Sequence, residues 1–235
     1  SFYDGGKYID EKQIVSRCKT MLYEGASIID IGAQSSRPGA TQFSSEEELK
    51  KLLPAVKLLR NSFCNITISI DTFWANTAKE CIQAGADIIN DISGGYNNTK
   101  MLDVIEKFKC PYILTHNING SINKSVMDDS KNTIKELIQF FSKKISELNA
   151  KGIHDIIIDP GFGFSKSLEQ NFEIIKQFDL LHILNTPILV GMSRKSMICK
   201  PLEIESKDAL NGTTAMHAFL LSKKASLFRV HDVHE

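Results

Sequence analysis

The sequence predicts a (β/α)8 barrel of parallel strands, on three observations. Short runs, apolar at nearly every position, alternate with amphipathic stretches along the whole chain, which suits strands covered on both faces. The runs recur at a mean spacing of roughly 33 residues, about the length of one β-loop-α unit. Three of them, 67–71, 87–91 and 155–159, end in Asp71, in Asn90 and Asp91, and in Asp159. Polar groups at the C-terminal ends of strands stand where the loops of such a barrel converge on a ligand.

Strands are expected at 27–33, 67–72, 87–93, 112–117, 155–160, 187–193 and 225–231. Helices are expected at 10–24, 45–61, 74–84, 100–108, 130–151, 168–177 and 206–222. Ser45 with Glu48 reads as a capping box ahead of Leu49, Leu52, Leu53, Val56 and Leu59. Gly25 and Gly85 sit where a left-handed residue ends a helix before the next strand. Pro54 should bend the second helix, or the first turn of that helix begins later. No linker, low-complexity segment or break in composition appears, so 1–235 reads as a single domain. A closed barrel needs eight strands and seven are found. The expectation is that a first strand and a last helix lie outside this sequence, as in a fragment of a longer chain.

The 235 residues are 42% apolar and 24% charged, and Lys plus Arg balance Asp plus Glu at 28 each, so no global field favours nucleic acid or a membrane. Any anion site must be local. Of the arginines, Arg37, Arg194 and Arg229 follow apolar runs, and arginine suits forked recognition of phosphate or carboxylate. The five cysteines form no C-x-x-C pair and read as reduced fillers of an intracellular protein. No run of 18 apolar residues marks a membrane span. The cytoplasm is the default compartment, with a mitochondrial one left open.

Four further motifs follow predicted strands: Ser35-Ser36-Arg37-Pro38-Gly39-Ala40, Asp159-Pro160-Gly161-Phe162-Gly163-Phe164-Ser165-Lys166, Gly191-Met192-Ser193-Arg194-Lys195 and Arg229-Val230-His231-Asp232. The 161–166 stretch is no phosphate-cradling Walker loop, since Gly-Lys-Ser/Thr is missing. Together with the three strand ends, the motifs resemble the dihydropteroate synthase family of pterin-binding barrels, over essentially the full length.

The resemblance implies condensation of a dihydropterin-methyl diphosphate with p-aminobenzoate, with release of pyrophosphate, in folate biosynthesis. It implies that Asp71, Asn90, Ile92 and Asp159 bind the pterin, and that Lys195 and Arg229 contact it too. Carboxylates accept paired hydrogen bonds from an aminopyrimidine edge, and an Asn amide both donates and accepts. Ser36, Arg37, Pro38 and Phe164 would hold p-aminobenzoate and sulfonamide mimics. Arg37, Arg229 and His231 would hold the pyrophosphate, with Lys195, Arg229 and His231 catalytic. Mg2+ is the implied cofactor, and the family Asn that helps hold it is expected upstream of Ser1, with no metal ligand identifiable in this chain. Without that Asn the chain alone is expected to be weakly active or inactive. A homodimer is implied as well, the apolar 215–221 stretch being a candidate surface, and fusion to other folate-pathway enzymes is an open expectation.

The sequence departs from the family pattern at Asn117, polar where an apolar pocket residue is expected, and at Ala33 and Ser36. Two other readings stay open: a pterin-binding methyltransferase, which needs neither the Ser-Arg-Lys nor the Arg-Val-His-Asp motif, and a non-catalytic pterin-binding domain of a multifunctional folate protein.

Overall fold

A computed structural model of the chain describes residues 10–34, 43–95, 99–117 and 132–235. Ser36, Arg37 and Pro38 lie outside the described residues. The chain forms two compact units, 1–91 with 98–112 and 232–235, and 92–97 with 113–231.

The first unit holds α1 (Glu11–Tyr23), β1 (Ile28–Gly32), α2 (Ser45–Ser62), β2 (Thr67–Asp71), α3 (Ala75–Gln83), β3 (Ile88–Asp91) and α4 (Thr99–Phe108). Strands β1 and β2 pair in parallel from Ile28↔Thr67 to Gly32↔Asp71, and β2 and β3 from Ser69↔Ile88 to Asp71↔Asn90. This register brings Gly32, Asp71 and Asn90 level at the C-terminal ends of three strands. Val56, Leu59, Ile68, Ile70, Ala78 and Ile89 form the buried layer between sheet and helices, and full burial of a Val, Leu or Ile side chain contributes roughly 1.5–3 kcal/mol.

The second unit takes in β4 (Tyr112–Thr115) from Ile113 onward, then α5 (Thr133–Ala150), β5 (Ile156–Asp159), α6 (Leu168–Lys176), β6 (Leu189–Val190), α7 (Ser196–Leu202), α8 (Leu210–Ser222) and β7 (Leu227–Phe228). Strand order in the first unit is β1-β2-β3; in the second, β4 neighbours β5, and β6 pairs with β7 in parallel. The His116 N–H donates to the Asp159 carbonyl at 2.8 Å, and Ile158 bridges Ile188. Leu137, Phe141, Ile158, Ile174 and Val190 are buried here.

All seven predicted strands appear among the described residues, although β6 and β7 are only two residues each. Gly25 and Gly85 end their helices at φ +104° and +108° as expected. Helix α2 runs unbroken through Pro54. Its capping box is one residue earlier than the pattern suggested: Ser44 caps α2 and Glu47 reaches back to the Ser44 N–H. Glu48 is thereby turned inward and is buried. Helix α7 and a 3-10 helix at Phe178–Leu184 were not foreseen. Both are shorter than three turns of apolar periodicity, and α7 carries Pro201. All five cysteines are free, and burial pushes the Cys18 thiol up to about 11 and that of Cys81 to about 12. Among the described residues no helix is long and apolar enough to cross a membrane.

Arg60 shows how the first unit is locked. Its guanidinium donates to the carbonyls of Gly85, Cys64 and Ile66 and pairs with Asp87 at 2.7 Å. The Asp87 carboxylate also accepts the Ile68 N–H at 2.8 Å, joining α2, β2 and the turn into β3. Asp87 is half-exposed, so solvent screens the pair. The substitution Asp87→Ala is expected to cost about 1 kcal/mol, mostly from the Ile68 amide left without its acceptor. The urea midpoint of the variant measures it.

Candidate active site

In the first unit the sheet register sets the polar tips. Asn90 is fully buried, and its amide donates to the Asp30 carboxylate at 3.2 Å. Its Oδ1 is buried without a hydrogen-bond partner among the described residues. A buried acceptor left open in this way costs stability unless something else supplies a donor. The next residue alternates to the other face of β3: Asp91 accepts from the buried Tyr112 hydroxyl at 2.6 Å, a packing role. Asp71 is level with Asn90 on the neighbouring strand. Asp30 escaped the sequence reading because it lies inside an apolar run and not at its end. A lone acid at mid-strand was the available signal.

In the second unit the tips are set by a loop. The Asp159 side chain is 1% exposed; Oδ1 accepts the Gly161 N–H at 2.7 Å, and Oδ2 lies 3.3 Å from Arg229 Nη2. Gly161 has φ +68°, and a Cβ there would meet the His116 carbonyl oxygen at 2.1 Å, so only glycine lets the loop cross β4 this closely. Beneath it lies Lys166. Its ammonium donates to the carbonyls of His116 (3.2 Å), Gly161 (3.0 Å) and Phe164 (3.1 Å). Burial pushes its pKa down to about 7; Asp159 opposes that shift and Lys195 adds to it. Lys195, at the start of α7, donates to the Phe162 carbonyl at 2.7 Å and lies 4.4 Å above the Phe164 ring. His231 follows β7, its Nδ1 3.0 Å from Ser193 Oγ.

Asp159, Phe164, Lys195 and Arg229 are therefore joined through direct contacts and the 161–166 loop, with His231 tied to Ser193, two residues before Lys195. Arg194 is elsewhere: at φ +55° it turns its guanidinium to the carbonyls of Ser206 and Lys207, bracing the segment before α8. Asn117 donates to the Ile92 carbonyl at 2.9 Å and accepts from Ser165 at 3.1 Å, linking the segment after β3 to the loop after β5. His116 is buried edge-on against Phe140, and burial holds it well below the usual imidazole range, hence neutral.

Among the described residues no group of three or more His, Cys, Asp or Glu side chains could hold a metal ion. The implied magnesium thus finds no protein cage in them, although a magnesium ion commonly rides on phosphate oxygens and water.

The profile of the family described as pterin binding enzyme matches residues 1–231. The dihydropteroate synthase of Clostridium beijerinckii is 40% identical over all of this chain and 86% of its own length. Two solved structures cover 99% and 100% of the chain. Dihydropteroate synthase from Clostridium difficile, in the presence of pteroic acid, has a TM-score of 0.90 at 35% identity and is covered over 87% of its length. The Yersinia pestis enzyme with a sulfonamide drug has a TM-score of 0.92 at 34% identity and is covered over 85%. With the barrel fold of those structures and the match to the family profile, the chain belongs to the pterin-binding enzymes and, among them, to the dihydropteroate synthase family.

Proposed function

We propose that this chain condenses a 7,8-dihydropterin-6-ylmethyl diphosphate with p-aminobenzoate to give 7,8-dihydropteroate and pyrophosphate. The observation that carries the reading is the buried Asp159 carboxylate in contact with Arg229. One group is suited to a ring edge, and beside it stands a cation suited to a departing diphosphate. The family profile runs through both units, which supports treating 1–235 as one pterin-binding domain.

Asp71, Asn90 and Asp159 read the pterin edge. The open Asn90 Oδ1 supports this, since a ring N–H would satisfy it. A ring lacking the matching donors leaves buried protein groups unpaired, which is how such a site discriminates. Ile92 flanks the ring. Lys195, spread over Phe164, borders both substrates. In the reaction the methylene C–O bond breaks and its electron pair leaves on pyrophosphate. The amine lone pair of p-aminobenzoate forms the C–N bond, and the nitrogen then loses a proton. The main demand is stabilising the negative charge that develops on the leaving group. Arg229 meets it from a position fixed by Asp159, with His231, tethered to Ser193, and Arg37. Ser36, Pro38 and Phe164 hold p-aminobenzoate. Magnesium, when bound with the diphosphate, would screen its charge.

The exposed apolar side chains of α8, Phe219 and Leu221, with Leu202 of α7, support a homodimer. A cytoplasmic compartment remains the default reading.

Pyrophosphate release that requires both substrates tests the function. Pterin binding without release, including in a chain extended upstream of Ser1, would leave a binding domain instead. The substitution Asp159→Ala is expected to weaken pterin binding at least ~100-fold, because it also strands the Gly161 N–H and Arg229; unchanged affinity by calorimetry would refute the assignment. The change Arg229→Met is expected to lower turnover by a factor of about 100 or more while circular dichroism stays unaltered.

Lys166 gives a pH test. An unfolded lysine keeps its proton to about 10.5, whereas burial holds Lys166 at about 7. Between those values the unfolded chain binds the extra proton, so this group makes stability rise with pH above 7. In Lys166→Met that rise should vanish between pH 7 and about pH 9, as read from urea midpoints at each pH.

A further inference from the structure

Sheet register sets where Asn90 stands, but it does not set which way the amide is turned. Asp30 does, and the reading above gives that acid no task. On β1 it stands two residues before Gly32, so strand alternation puts both on one face. Gly32 is level with Asp71, and Asp71 with Asn90. Asp30 therefore shares the face of Asp71 and Asn90, two residues further from the strand ends. Its neighbour on β2 is Ser69, small and buried. Gly32 adds no side chain above it, and a Cβ there would meet the Asp71 Cβ at 3.2 Å.

The contact is Asn90 Nδ2 donating to Asp30 Oδ2 at 3.2 Å. Among the described residues it is the only hydrogen bond of the Asn90 side chain. An ionised carboxylate accepts and cannot donate, whereas an amide has one donating end and one accepting end. Turned over, the amide would set its oxygen against a carboxylate oxygen, and two acceptors so close repel. Asp30 thus decides which end of the amide is consumed. The end left over is Oδ1, buried and without a partner among the described residues. Such an acceptor costs free energy until a donor reaches it. A hydrogen bond from Nδ2 to a carboxylate also polarises the amide, which makes Oδ1 the stronger acceptor.

We propose that Asp30 is a positioning residue for pterin recognition: it holds the Asn90 amide with its oxygen to the ring, so the group read there is a ring N–H and not a ring acceptor. This rests on the reading of Asn90 as a pterin residue. Asp30 acts through Asn90 and does not itself pair with the ring. Because Asp30 is exposed while Asn90 is fully buried, the acid is open to substitution at little cost to the fold.

The test measures dihydropterin affinity by calorimetry and urea midpoints in the unaltered chain, Asp30→Ala, Asp30→Asn, Asn90→Ala and the double variant Asp30→Ala/Asn90→Ala. Asp30→Ala is expected to weaken the pterin about fivefold, from lost orientation and lost polarisation of the amide. Asp30→Asn still offers an oxygen to Asn90 Nδ2 and should stay within about twofold of the unaltered chain. In the double variant Asp30→Ala should cost nothing beyond Asn90→Ala, since the acid acts only through that amide. Asp30→Asn as damaging as Asp30→Ala, or a full further loss in the double variant, would mean that the acid pairs with the ring directly and would overturn the proposal. A lowered midpoint with affinity unchanged in Asp30→Ala would overturn it as well, leaving a structural contact. Unchanged pterin affinity in Asn90→Ala would overturn the reading of Asn90, and this inference with it.

Discussion

The second unit depends on one half-buried lysine. An amine held away from water costs free energy unless its hydrogens find acceptors, and Lys166 faces three carbonyls: His116, Gly161 and Phe164. Those acceptors belong to the end of β4 and to both limbs of the loop after β5. Satisfying those donors therefore fixes the loop, with Gly161 at positive φ and its N–H on the Asp159 carboxylate. The Phe162 carbonyl is in turn presented to Lys195. One half-buried group thus shapes the loop whose amide holds the Asp159 carboxylate and whose carbonyl holds Lys195.

The first unit reaches a comparable result by cheaper means. Parallel register alone sets Asp71 level with Asn90, and alternation along β3 sends Asn90 to one face and Asp91 to the other, where Tyr112 holds it. Polar tips delivered by a ladder need no buried ion.

Strand positions were legible because each is a short, wholly apolar run, and the strand-end acids stood out against it. The weaker points have physical causes. Ser44 and Ser45 are both competent caps, and only the burial of Glu48 decides between them. Lys166 lay within a recognised motif, yet a lysine beside glycines gives no sign of being enclosed. Arg194, which resembles a ligand arginine by its place after β6, is consumed by the carbonyls of Ser206 and Lys207, a contact distant in sequence. Asn117 looked like a flaw in an apolar pocket. Its partners, the Ile92 carbonyl and Ser165, come from different strand ends and could not be read from one segment.

At the centre of this account is the claim that the carboxylate of Asp159, seated on the Gly161 amide, receives the pterin ring while Arg229 faces its diphosphate. A crystal structure of the chain with a dihydropterin diphosphate analogue tests it most directly. Ring nitrogens are expected within about 3 Å of Asp159 and phosphate oxygens within a similar distance of Arg229. A ring bound away from Asp159, or a diphosphate directed away from Arg229, would contradict it.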